Sequence, residues 1–146
     1  MEKSIIASIV LLLMINITDS ITNSAVDPSL IFYITEIGGS KEEYGTIMVS
    51  TFLSGILMTS FYGAWVDRNG GRYKGPYGAS FVLGMAGSLV YFLAANCPPG
   101  KFAMHVMLVG RLVIGMGLSG RTLAYMWVAM AIPRENQRNV LMLLSM

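Results

Sequence analysis

Along 146 residues the sequence repeats one arrangement four times: an apolar stretch long enough to cross a bilayer, then a connection of a few residues. A helical crossing needs about 20 mostly apolar residues to span a hydrocarbon core of roughly 30 Å. The length therefore holds four full crossings, at about 4–34, 44–66, 76–95 and 102–132, and a truncated fifth from Val140. All of them fall in one transmembrane domain covering 1–146, and the fold class is an all-α polytopic membrane protein. Composition agrees: 54% of residues are hydrophobic and 12% charged, where soluble domains carry about a quarter charged residues.

The basic residues set an orientation. Lys3, Arg68, Arg72, Lys74, Arg134 and Arg138 fall on one side of these spans, and Lys41 and Lys101 on the other. Cytoplasmic loops carry the excess of Lys and Arg, so the N-terminus and the loops at 67–75 and 133–139 are expected in the cytoplasm. No basic face is clustered for nucleic acid, and none is expected as a partner. Cys97 is the single cysteine, which excludes a disulfide within the chain. Neither a phosphate loop, a metal-ligand set nor a nucleophile arrangement is present, so the expectation is no enzyme, no metal and no cofactor.

Polar residues in the first and fourth spans are ordered. At about 100° per residue, Asn16, Asp19, Ser20, Asn23 and Asp27 share one stripe of the first span. A carboxylate near the bilayer centre costs roughly 2.5 to 3.5 kcal/mol to insert, so such a stripe must face water, a partner or a cavity. On the fourth span Arg111, Gly115, Arg121, Thr122 and Tyr125 lie on one side, while Gly110, Gly117, Gly120, Ala124 and Ala131 lie on the other, a small face suited to close packing. By rise per residue Arg111 sits about 9 Å outward of the midplane and Arg121 about 6 Å inward. An arginine at such depth needs a counter-charge, and Asp19 or Asp27 is the expected one; Asp19 is further expected to exchange a proton. In the second span Thr51, Gly55, Thr59 and Gly63 recur every four residues, and Gly84, Gly87 and Ser88 cluster in the third. Both patterns suit close helix approach. Glu36, Glu42 and Glu43 are expected to be solvated loop charges.

Two motifs complete the pattern. After the second span the chain reads Gly63-Ala-Trp-Val-Asp67-Arg68-Asn-Gly70-Gly71-Arg72, and in the fourth it reads Arg111-Leu-Val-Ile-Gly115-Met-Gly117. The first resembles the loop between helices two and three of the major facilitator superfamily, G-x-x-x-D-R/K-x-G-R-R/K, matching at Gly63, Asp67, Arg68, Gly70 and Arg72, with Gly71 in a basic position. The second resembles the fourth-helix motif R-x-x-Q-G-x-G, with Ile114 in place of Gln. The resemblance implies a partial N-terminal bundle of such a transporter: helices one to four and the start of the fifth. In that family two six-helix halves enclose a midplane site and rock about it, with the first and fourth helices lining the cavity.

By that resemblance Asp67 would meet a helix start in the opposite half, and Arg111 would couple to a protonatable group on the first helix. The implied function is secondary transport of a small-molecule substrate by alternating access, with proton coupling. The implied partners are membrane lipid and a C-terminal half that this chain, expected to be a fragment, lacks. The implied location is the lysosomal, vacuolar or plasma membrane. Two other classes fit a four-helix membrane chain: a small multidrug-resistance type carrier acting as a dimer, and a non-transporting scaffold. The six-to-two charge bias disfavours the dual orientation common in the former.

Overall fold

The computed structural model describes residues 3–132 with Gln137, Arg138, Val140 and Met142, leaving out the side chains of Lys3, Ser4, Asp19, Thr22, Asn23, Ala25 and Val26. Four helices overlie the four apolar stretches: α1 Lys3–Glu36, α2 Lys41–Arg68, α3 Lys74–Ala94 and α4 Lys101–Ala131. By length and composition α2, α3 and α4 can cross a membrane. The apolar segment of α1 is shorter, Ile5–Thr18, because polar residues interrupt the second half of that helix. Of the fifth stretch only Val140 and Met142 are described, and Arg134 lies outside the described residues.

Local chemistry fixes the helix ends. At the end of α1, Gly39 N donates to Ile34 O at 2.8 Å and Gly38 N to Thr35 O at 3.2 Å, a paired closure that satisfies the last carbonyls. One residue on, α2 opens with a capping box. Glu43 N donates to Ser40 Oγ at 3.2 Å while Ser40 N donates to Glu43 Oε2 at 2.7 Å. Glu43 is thus a cap that starts the helix, where the sequence suggested a loop charge; three-residue spacing from a serine was the signal.

α4 is the hub. It packs closely against α3 and α2, which barely touch each other, and α1 lies more loosely on α2 and α4. Small residues cause the closeness. A Cβ on Gly117 would come within 2.6 Å of Gly84 Cα, and one on Gly87 within 2.5 Å of Ile114 N. Across the other seam, Gly115 sits directly on the Thr51 carbonyl and Ser54 Oγ. Ser119 Oγ donates to Gly55 O at 2.9 Å, and Ser54 Oγ lies at 2.9 Å from Leu112 O, so hydroxyls join the helices as well.

Polarity is arranged inside out. Thr51, Ser54, Ser80, Arg111 and Ser119 are buried, while Phe52, Ile56 and Leu57 of α2 and Val82, Met85 and Leu89 of α3 are exposed. Such a surface belongs in lipid, where hydroxyls gain by turning inward and apolar side chains lose nothing by turning outward.

Two apolar clusters hold α1 at its ends. Ile9 and Leu12 join Ala124, Val128 and Ile132 near the end of α4, and Leu30 and Ile34 join Ile47, Ala94 and Met107 at the other end of the bundle. The polar middle of α1 runs between these anchors.

Candidate functional site

The polar middle of α1 faces two arginines of α4. Arg111 Nη1 donates to Asp27 Oδ1 at 3.0 Å. The pair is lopsided: the arginine side chain is 4% exposed and the carboxylate 37%. Across the guanidinium stands Tyr91 of α3, its ring centroid 5.2 Å from Cζ, an arrangement in which the π-face stabilises the cation. Arg111 Nε and Nη2 are buried with no hydrogen-bond partner among the described residues. Ten residues further along α4, Arg121 Nη2 donates to Ser20 Oγ of α1 at 3.3 Å.

Both arginines line one groove of about 1000 Å³ between α1, α3 and α4, together with Asn16, Tyr91 and Ile114. Ten residues of helix place them about 15 Å apart along its axis, one toward each end of the groove. Asn16 is buried and donates from Nδ2 to Leu12 O at 2.8 Å, while its Oδ1 has no partner among the described residues. Within the membrane span, the groove thus holds two cations, an unmatched amide oxygen and an unmatched guanidinium edge. Charged and polar groups at such depth persist where they face a cavity or a partner.

Of the residues read from sequence, Arg111 and Asp27 are brought together at 3.0 Å. Asp19 and Asn23 lie on α1 beside Ser20, but their side chains are outside the described residues. Tyr125 is half-buried and packs on the cluster of Ile9, Leu12 and Ala124, apart from the groove lining. Gly115 and Gly117 act as packing positions against α2 and α3. Ile114, standing where the motif has Gln, packs over Gly87 at the α3–α4 seam.

The loop motif is exposed at Asp67, Arg68, Gly70 and Arg72. Gly71 N donates to Val66 O at 3.0 Å and Gly70 N to Asp67 O at 3.3 Å, the same closure that ends α1. Gly70 has φ of 62° and Gly71 of 78°, so two successive residues are left-handed. That conformation explains a glycine at 71, since a side chain there is strained. Gly63, by contrast, has nothing within 4 Å of the position a Cβ would take, whereas a Cβ on Gly55 would lie 3.1 Å from Gly115 O.

Sequence reasoning missed Tyr91, Ser54 and Ser119. Tyr91 is one aromatic among several in an apolar helix, and only the crossing of α3 over α4 at Gly110 brings it to Arg111; a Cβ on Gly110 would lie 2.9 Å from Tyr91 N. Compared with models of known protein families, residues 12–146 match the one described as the Major Facilitator Superfamily. No curated protein and no solved structure matches the chain.

Proposed function

The chain belongs to the major facilitator superfamily, and on that premise we propose that the groove between α1, α3 and α4 forms part of the substrate and proton path of an alternating-access transporter. The carrying observation is the groove itself: a buried arginine pinned on one side to Asp27 and unpartnered along its Nε–Nη2 edge, in a part of the protein otherwise faced with lipid-compatible side chains. A buried donor without an acceptor costs free energy comparable to a lost hydrogen bond. Arg111 therefore has a standing tendency to take a second acceptor: a substrate oxygen, or a carboxylate that moves during the cycle. Asp19, on the same polar stripe of α1, is the proposed proton carrier.

The groove needs a second body. Alternating access requires two units that rock against each other. A further helical body is proposed to complete the cavity and to offer the helix start on which Asp67 docks. The N-terminus and the 69–73 connection are assigned to the cytoplasmic side by the positive-inside bias.

Reconstitution tests this reading. Proteoliposomes containing the chain alone should show no saturable uptake from a panel of small solutes under an imposed proton gradient, and co-expression with a complementary six-helix body should restore it. In the restored system Asp19→Asn should flatten the pH dependence of uptake; an unchanged rate and pH profile would remove the proton role. Saturable uptake by the isolated chain as a dimer would overturn the two-body reading in favour of a four-helix carrier.

A further inference from the structure

A second cavity lies at the other end of the chemistry. It measures about 730 Å³ and is formed where α2 ends, α3 begins and α4 ends. Trp65 and Trp127 line it together with Arg72, Tyr73, Lys74 and Gly75. These are the only two tryptophans in the chain, and both face one cavity beside two exposed cations. The volume is within the roughly 300–1,000 Å³ typical of small-molecule sites.

The loop that carries the cations is held in shape. The closure at Gly70 and Gly71 turns the chain sharply after α2, and Pro76, buried in the first turn of α3, fixes its re-entry. Arg72 and Lys74 thereby line the same cavity as the tryptophans. Tyr73 Oη donates to Met130 Sδ at 3.0 Å, which ties the loop to the end of α4. Apolar exposed surface adjoins the site: Met130 on one side and Phe61, stacked edge-on against Trp65 at 6.1 Å, on the other.

We infer that this cavity binds the phosphate headgroup of an anionic phospholipid, with Arg72 and Lys74 on the phosphate and the two tryptophans at the boundary between headgroup and acyl chain. Charge selects an anion. Tryptophan pairs of this kind sit at the membrane–water interface, and the apolar flanks at Met130 and Phe61 offer acyl chains a path that a soluble phosphate does not use. The positive-inside orientation puts the site in the leaflet whose anionic lipids attract basic segments next to membrane helices. Occupancy would brace the α2–α3 loop, and through it Asp67, against the end of α4.

The two tryptophans supply the readout. The full chain in phosphatidylcholine vesicles should show several-fold stronger quenching of tryptophan emission by phosphatidylglycerol with brominated acyl chains than by brominated phosphatidylcholine at equal mole fraction. The Arg72→Gln, Lys74→Gln double variant, both positions being exposed, should fall to the phosphatidylcholine level, while Lys101→Gln, outside the cavity, should keep the preference. Trp65→Phe and Trp127→Phe should each retain it through the remaining indole. Added glycerol phosphate should not relieve the quenching. Equal quenching by the two lipids, a preference that survives the double variant, or relief by free glycerol phosphate would each overturn the assignment. The assay reads lipid contact without transport, so its failure would leave the transport proposal standing, and the reverse.

Discussion

The seams that α4 makes with α2 and α3 differ in kind from the one it makes with α1. Toward α2 and α3 the backbones touch: Gly115 lies on Thr51 and Ser54, and Gly117 on Gly84, with no room for a Cβ. Toward α1 the contact is two apolar anchors with a groove between them, bridged by Arg111–Asp27 and Arg121–Ser20. Backbone-to-backbone packing has one arrangement and resists sliding, because any shift opens a void or drives atoms together. A polar bridge over a groove can exchange partners with water, substrate or another carboxylate. The three-helix unit is thus built as a body, and the α1 seam as a polar groove bridged by side chains.

The largest test strikes the α1 seam. Asp27→Asn removes the counter-charge described for buried Arg111 and should cost about 3 kcal/mol of stability in detergent, the lower part of the range for a broken buried pair because the carboxylate is partly exposed. Arg111→Gln should cost less, since Asp27 is the less buried partner. The double variant should be more stable than Asp27→Asn alone. The reverse ranking of the two single variants by thermal unfolding would show that the burden of the pair rests on the other partner.

Next comes the body. Gly117→Leu drives a side chain into Gly84 and should cost about 2 kcal/mol, seen as a lower unfolding temperature and a smaller monodisperse fraction on size exclusion. A neutral result would mean that α3 and α4 can separate, erasing the contrast between the seams. A smaller effect is expected at Gly71→Arg, which restores the basic residue usual in the loop motif but places it at φ of 78°; about 1 kcal/mol should be lost. Gly63→Ala meets open space and should stay within about 0.5 kcal/mol of the parent. Instability there would show that Gly63 packs against something outside this bundle.

Much of this was legible in the chain. Helix placement follows from hydropathy because lipid demands long apolar helices, and the glycine rows announced close packing because only small residues let backbones meet. The pairing of a first-helix carboxylate with Arg111 was readable from depth and face alone, though two aspartates qualified. That Asp27 reaches Arg111 at 3.0 Å was not readable, since rise per residue fixes depth only to a turn or so and says nothing of crossing angle. Nor was the role of Gly63, whose spacing from Gly55 is correct for a contact that the bundle does not make.

The sequence by itself determined that the chain is a set of membrane helices with a charged turn after α2 and two arginines within the α4 span, because each of these rests on local composition and spacing. Its motifs also carried the family. Tertiary structure decided which helix is central, that Tyr91 backs Arg111, that Asp27 bridges to it, and that both tryptophans meet beside Arg72 and Lys74. These facts join residues between 20 and 84 positions apart in the chain for the pairs around Arg111. They depend on how helices cross, which is set by the summed fit of all their small and large side chains and is written in no single stretch of the sequence.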